Sequence, residues 1–224
     1  WEPQINFFKD YFRVITPDLP GFGKSNKAKS HNNIQSIARL LLDCLDEKKI
    51  DKFYLLGHSM GGMIVQEMAK ISGNKIIKLI CYSTGPRGEM PGRFETVDQS
   101  RENLKKNGLE ITAKNIAKTW FVKGEEAEYF DICVEAGKQS SIEAVDNALT
   151  AFKNWDGIET LKNIKNETLI VWGNKDKSYN LDQVQTLNSN IPNSSLFVFE
   201  GCAHNVHLEK PEEFNRTILN YLNK

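Results

Sequence analysis

Over the first 84 residues, short apolar runs alternate with amphipathic stretches. The apolar runs predict strands at 12–16, at 53–56 and at 75–83. Between them, apolar positions recur at helical spacing, in a stripe from Ile34 to Leu45 and in a second stretch from Met60 to Ile71. Strands that alternate with helices are typical of a mainly parallel sheet flanked by helices. The pattern therefore predicts an α/β fold.

The alternation stops at residue 85. Residues 85–92 are rich in glycine and proline and predict a linker, whereas the pattern from 93 to 155 is helical throughout. Gly108, Gly124 and Gly137 divide this helical region into about four predicted helices. We expect an all-helical insertion at this point to form a cap over the catalytic edge of the sheet, where it excludes water and shapes a pocket.

Beyond the helical region, strands and helices alternate again. Apolar runs around Leu169 and Leu196 predict strands, and helices are predicted at 182–187 and 211–222. The chain is thus predicted to consist of three segments. These are residues 1–84 as the first part of an α/β core, residues 85–160 as a helical cap, and residues 161–224 as the second part of the core.

The second apolar run ends in a Gly-x-Ser-x-Gly pattern, which Gly57, Ser59 and Gly61 form. A serine hydroxyl is a weak nucleophile, and a sharp turn between a strand and a helix projects it free of the backbone toward a general base. We expect that a side chain at Gly57 or Gly61 would collide as the chain reverses, and that Gly62 lets the new helix lie close to the sheet. Ser59 is therefore the candidate nucleophile.

A hydrolytic serine needs a histidine as its base, and the chain contains four. His31 lies in a polar stretch before a helix, and His58 lies inside the turn next to Ser59, so structural roles are expected for both. His204 follows a predicted strand by a short loop, at the edge where catalytic groups gather in α/β sheets. His207 lies three residues later, where its ring is expected to face elsewhere. We select His204.

The histidine in turn needs an acid that holds it in the correct tautomer. Asp176 follows the predicted strand at Leu169 by a short loop. Asp182 is the competing residue, but its position at a predicted helix start is explained by capping or by the helix dipole. With Asp176, the acid lies between Ser59 and His204 along the chain, which is the order found in α/β-hydrolases.

On these residues, the chain resembles α/β-hydrolase fold enzymes of the lipase, esterase, enol-lactonase and cofactor-free haloperoxidase type. Four blocks carry the resemblance: residues 14–25, 57–62, 169–176 and 201–211. The nucleophile, acid and base of the family correspond to Ser59, Asp176 and His204. The resemblance also implies that the backbone N–H of Met60 donates to the oxyanion.

The resemblance further implies that a second oxyanion donor, on a loop after the third strand of the fold, lies upstream of Trp1. We therefore expect the first strands of the fold to be missing from this chain. Without that third strand, the strands near Val14 and Leu55 would lack their shared neighbour, and unpaired backbone groups inside a sheet are costly. Residues 1–224 alone are expected to be poorly folded and poorly active.

Several side chains of the predicted cap are candidates for lining a substrate pocket. They are Met90, Phe94, Trp120, Phe121 and Trp155, although aromatic residues at helical spacing more often fill a core. Arg87 has the two-pronged geometry that binds a substrate carboxylate, and the alternative is a solvated arginine in the linker.

The predicted function is a serine hydrolase that cleaves a small, largely apolar carboxylic ester or lactone through an acyl-enzyme on Ser59, with no metal or organic cofactor. The same residues also suit a hydrolase of carbon–carbon bonds or a cofactor-free perhydrolase. A third alternative is a receptor on the same fold that binds a hormone-like lactone and recruits a partner through its cap.

Composition bears on the partners and the cellular location of the protein. The 29 basic and 29 acidic residues give a formal net charge of zero, which argues against a nucleic-acid partner. No uncharged run approaches the roughly 18 residues of a membrane helix. The four cysteines show neither paired nor metal-type spacing, which suits a reducing compartment. A cytoplasmic location is therefore expected, with a cleaved signal peptide upstream of Trp1 as the alternative. The oligomeric state is not predicted.

Overall fold

A four-stranded parallel sheet forms the centre of the computed structural model, which describes residues 1–89 and 91–224. The strands lie side by side in the order in which they occur along the chain, and all three neighbouring pairs are parallel. They are β1 (Phe53–His58), β2 (Ile76–Tyr82), β3 (Thr168–Gly173) and β4 (Ser194–Phe199). The predicted α/β fold with a parallel sheet is confirmed.

Helices connect the strands and flank the sheet. Within the described residues, the α-helices are α1 (Glu2–Phe8), α2 (Ile34–Glu47), α3 (Met60–Ser72), α4 (Val97–Thr119), α5 (Phe130–Lys138), α6 (Ile142–Asn154), α7 (Leu181–Asn190), α8 (Val206–Glu209) and α9 (Pro211–Leu222). Short 3₁₀ helices cover Gly23–Ser25, Gly73–Lys75, Gly124–Glu126 and Ile158–Asn163. None of the described helices is both long enough and apolar enough to cross a membrane.

Burial differs between the central and the outer strands. All six residues of β3 and six of the seven in β2 are buried, and most of them are apolar. On β4, more and less exposed positions alternate, as expected for an outer strand with one face toward the core. Three apolar clusters between sheet and helices hold this arrangement together.

Residues 85–160, which we call the cap region, contain α4, α5 and α6. Gly108 interrupts α4 with a backbone conformation (φ 72°, ψ −178°) that is rare for residues with a side chain, so it produces the predicted break as a kink. Gly124 begins a 3₁₀ helix. The predicted break at Gly137 is confirmed, because α5 ends one residue later at Lys138 and α6 begins at Ile142; Gly137 itself packs against Ala113 of α4.

The predicted strand at 12–16 is also wrong. Residues 13–19 have no regular secondary structure, and Val14 and Ile15 are exposed. A strand needs a neighbour that pairs with its N–H and C=O groups. Among the described residues, β1 pairs with β2 alone, so no strand lies beside this segment. Its apolar pattern therefore predicted a strand for which the sheet offers no partner.

Candidate active site

Ser59 lies at a sharp turn between β1 and α3. Its backbone has a positive φ of 57° (ψ −121°), which a residue with a side chain adopts at a cost. The N–H of Ser59 donates to the carbonyl oxygen of Tyr82 at 2.9 Å and so continues the pairing of β1 with β2. The turn thus holds a strained serine at the carboxyl end of the sheet, the geometry of a nucleophile elbow.

The glycines of this turn differ in their need for space. A Cβ atom on Gly57 would lie 2.2 Å from the carbonyl oxygen of Gly61, and one on Gly62 would lie 2.4 Å from the Thr84 side chain. Both positions therefore exclude a side chain. A Cβ on Gly61 would have no heavy atom within 4 Å, so the expectation of a collision at this position is wrong.

Asp176 and His204 form a buried pair at the same edge of the sheet. The Nδ1 atom of His204 lies 2.8 Å from Oδ2 of Asp176, and the two side chains are only 2% and 0% exposed. The other oxygen, Oδ1, accepts the N–H groups of Ser178 at 2.7 Å and Tyr179 at 3.3 Å. Because a carboxylate can only accept, Nδ1 carries the proton and Nε2 is left as a base.

Two side chains from the strand ends hold the backbone of His204. Nε2 of His58 lies 3.1 Å from the His204 carbonyl oxygen, and the Tyr82 hydroxyl donates to the same oxygen at 3.1 Å. The rings of His58 and His204 are 4.5 Å apart. Among the described residues, no hydrogen bond joins the Ser59 hydroxyl to His204. The serine is instead brought to the histidine by its neighbour His58.

The supporting histidines are kept neutral. Burial lowers the pKa of His58 well below its ordinary value, and the nearby His204 and His207 lower it further. Burial also lowers the pKa of His207, whose Nδ1 lies 2.9 Å from the Tyr82 hydroxyl. A neutral His58 that donates to a carbonyl must carry its proton on Nε2. His58 and His207 therefore support His204 without adding charge to the site.

Met60 is the first residue of α3, so its backbone N–H has no acceptor within the helix. The helix dipole adds partial positive charge at this end. The N–H directly after Ser59 is therefore free to donate to an oxyanion, the charged carbonyl oxygen that forms when a serine attacks a carbonyl carbon.

The residues predicted to line a pocket lie in different surroundings. The Trp120 ring lies 6.0 Å from that of His204. Phe121 is buried in an apolar cluster with other cap residues and Leu208. Trp155 is buried, and its Nε1 donates to Glu67 at 2.9 Å. Arg87 forms an ion pair with Asp156 at 2.9 Å, and Met90 lies outside the described residues.

Three residues contact this site besides the predicted ones: a structural role was expected for His58, whereas the sequence did not single out Tyr179 or Glu209. His58 packs on His204. Tyr179 also stacks on His204, with its ring 5.8 Å from the imidazole and nearly parallel to it. Glu209 accepts the N–H groups of Val122 in the cap region and Ala203 beside His204, at 2.7 and 2.6 Å. The signal that the sequence offered for them was proximity along the chain: His58 precedes Ser59, Tyr179 follows Asp176, and Glu209 follows His204.

Comparison with known proteins agrees with this geometry. The family model described as alpha/beta hydrolase fold matches residues 1–211. A 2-hydroxy-6-oxononadienedioate/2-hydroxy-6-oxononatrienedioate hydrolase from Pseudomonas putida is 31% identical over 234 residues, which cover 99% of this chain and 80% of that protein.

Solved structures give the same result. An esterase from Exiguobacterium antarcticum superposes with a TM-score of 0.91 at 25% identity, over 100% of this chain and 86% of the other. An enol-lactonase from Burkholderia xenovorans LB400 gives a TM-score of 0.91 at 21% identity, with the same coverage. By its matched length, its fold and its serine turn, this chain belongs to the alpha/beta hydrolase fold family.

Proposed function

We propose that this protein is a serine hydrolase that cleaves a small, largely apolar carboxylic ester or lactone through an acyl-enzyme on Ser59. The observation that carries the proposal is the buried Asp176–His204 pair, 2.8 Å apart, at the sheet edge where Ser59 lies in a strained turn. An imidazole whose Nδ1 is held by a carboxylate, at the same sheet edge as such a serine, has the geometry of a general base.

The reaction follows from these positions. His204 takes the proton of Ser59, whose oxygen attacks the carbonyl carbon, and Asp176 stabilises the imidazolium that forms. The N–H of Met60 donates to the oxyanion. His204 then gives its proton to the leaving oxygen as the C–O bond breaks. A water molecule, deprotonated by His204, releases the acid and restores Ser59.

An apolar substrate is favoured by the rings around the pair. Trp120 and Tyr179 both lie within 6.0 Å of His204, measured between ring centroids. Aromatic faces beside the base bind an acyl chain by excluding water, and a few polar groups orient it.

The test is turnover of p-nitrophenyl butyrate by the full-length protein and by its Ser59→Ala variant. We expect steady turnover that the substitution lowers by at least about 10³-fold. Ser72→Ala, at the opposite end of α3, is the matched control and should leave turnover unchanged. Turnover that survives Ser59→Ala would refute the proposal, and a single burst without steady turnover would favour the ligand receptor.

Carbon–carbon bond hydrolysis is the second candidate, because the Pseudomonas putida relative is named for a hydroxy-oxo-dienedioate substrate and matches 99% of this chain. That substrate carries two carboxylates, whereas the rings of Trp120 and Tyr179 near His204 carry no positive charge to bind them. Incubation with 2-hydroxy-6-oxononadienedioate separates the two candidates. Cleavage at a higher kcat/KM than for any ester or lactone of a panel would replace the first candidate by the second.

A further inference from the structure

Tyr179 is fixed beside the catalytic pair on several sides. Its backbone N–H donates to Oδ1 of Asp176 at 3.3 Å, and its carbonyl oxygen accepts from Trp172 Nε1 at 2.9 Å. Its ring is stacked on that of His204, with an angle of 16° between the planes. A Cβ atom on Gly85 would lie 3.2 Å from this ring. The phenol group therefore has little freedom to move.

The hydroxyl of this fixed ring is buried and has no hydrogen-bond partner among the described residues. Burial raises its pKa, while the hydroxyls of Ser59 and Thr84 lie near enough to lower that pKa in part, although neither is at hydrogen-bond geometry. Thr84 already donates its proton to the Ser59 carbonyl oxygen at 2.8 Å. The Tyr179 hydroxyl is thus a neutral donor near Ser59 that has no acceptor among the residues described.

A buried hydroxyl without a partner destabilises a fold, and phenylalanine would fill the same space without that cost. Such groups are retained where a ligand completes the hydrogen bond. The position of this one identifies the ligand atom. His204 must protonate the leaving oxygen of the substrate, so that oxygen has to approach the imidazole on which the Tyr179 ring is stacked.

From this geometry we infer that Tyr179 is a further catalytic residue, whose hydroxyl donates a hydrogen bond to the leaving oxygen of the ester or lactone. The inference rests on the proposed function. As the C–O bond breaks, the proton moves from His204 to the leaving oxygen, and Tyr179 keeps its own proton. The hydrogen bond stabilises negative charge on that oxygen before the proton arrives. The rate of C–O bond cleavage is therefore increased most for substrates with poor leaving groups, such as alkyl esters.

The experiment measures Tyr179→Phe with two esters of the same acid. Ethyl butyrate has a poor leaving group and should lose about 10- to 100-fold in kcat/KM, mainly through kcat. p-Nitrophenyl butyrate has a good leaving group, so kcat/KM for this ester should fall by less than about 3-fold. The thermal midpoint should be unchanged or higher, because the variant lacks the unpartnered hydroxyl.

Tyr221→Phe is the matched control, since Tyr221 is also largely buried but its hydroxyl donates to the Leu79 carbonyl oxygen at 3.4 Å. Tyr221→Phe should leave the ratio of kcat/KM for the two esters unchanged. Wild-type activity of Tyr179→Phe on both esters, or an equal loss on both, would overturn the inference. Either result leaves the proposed function intact as long as Ser59→Ala abolishes turnover, whereas turnover without Ser59 would refute the proposed function itself.

Discussion

The sheet and the cap region are built by different means. All six residues of β3 are buried, whereas only five of the 23 residues in α4 are buried. The cap region carries ion pairs on its surface, such as Lys118 with Glu125 and Arg101 with Asp146, and large apolar side chains such as Ile111 remain exposed. Tight packing fixes the sheet that carries the candidate site, while the helices of the cap region depend on weaker, solvated contacts.

The two regions meet beside His204. Glu209 accepts one N–H from Val122 in the cap region and one from Ala203 in the loop that carries His204. The N–H of Asn205 also donates to the Trp120 carbonyl oxygen at 3.0 Å. The cap region is therefore tied to the histidine loop by a few polar contacts, which substitutions can remove without disturbing the sheet.

The largest effect is expected at the acid of the buried pair. Asp176→Asn replaces an acceptor with an amide that can force His204 into the wrong tautomer, so kcat should fall by about 10³- to 10⁴-fold with little change in fold. Steady-state kinetics with p-nitrophenyl butyrate measure this loss. Asp182→Asn is the control, since Asp182 lies in the first turn of α7, and it should keep full activity. A large loss in the control instead would exchange the roles of the two aspartates.

Next in size is the effect of a methyl group in the serine turn. Gly57→Ala places a Cβ 2.2 Å from a backbone oxygen that cannot move away, so the free energy of unfolding should fall by about 3 kcal/mol or more. Gly61→Ala meets open space and should change it by less than about 1 kcal/mol. Chemical denaturation of both variants tests this difference. Equal losses would show that the turn relaxes around either methyl group.

Local patterns predicted the positions of Ser59, Asp176 and His204 at strand ends because parallel strands bring their carboxyl ends to one edge. The helix at 211–222 was also predicted with its observed bounds, since Pro211 starts it and an apolar stripe continues through it. These features depend on the chain near each residue. They could therefore be read before any tertiary contact was known.

Features that depend on partners distant in sequence were not predicted. The apolar segment at 12–16 forms no strand, because pairing requires a neighbour and not only a suitable pattern. His58 and Tyr179 contact His204 across 146 and 25 positions of the chain, and their positions next to Ser59 and after Asp176 do not identify His204 as the partner. Open space at Gly61 likewise depends on how the whole turn packs.

An intermediate effect is expected where the cap region is tied to the sheet. Glu209→Gln replaces one acceptor oxygen with an N–H₂ group that faces a backbone N–H, so the unfolding free energy should fall by about 1–3 kcal/mol. Amide hydrogen exchange at Val122 should become faster, whereas exchange in β3 should stay slow. Glu212→Gln, on the exposed first turn of α9, should change neither. Unchanged exchange at Val122 would show that the cap is held without Glu209.

The smallest effect is expected within the cap itself. Arg101 binds Asp146 through two parallel hydrogen bonds of 2.8 and 2.9 Å, which join α4 to α6. Both side chains are about a third exposed, so solvent and salt screen the pair. Arg101→Ala should lower the unfolding free energy by no more than about 1 kcal/mol and leave ester turnover within about 2-fold.

The stabilisation by the Arg101–Asp146 pair should decrease at acidic pH. The hydrogen bond that Asp146 accepts from Arg101 lowers the pKa of Asp146. The Asp146 carboxyl group therefore binds a proton less tightly in the folded state than in the unfolded state. The stabilisation is therefore full above the ordinary carboxyl range, about pH 4, and is lost as the pH falls through the lowered value. Arg101→Ala should remove this acid-sensitive part, while Arg39→Ala on the exposed side of α2 should preserve it. A loss of several kcal/mol at neutral pH would mean that this pair, and not apolar packing, holds the cap together, and the contrast between cap and sheet would then have to be redrawn.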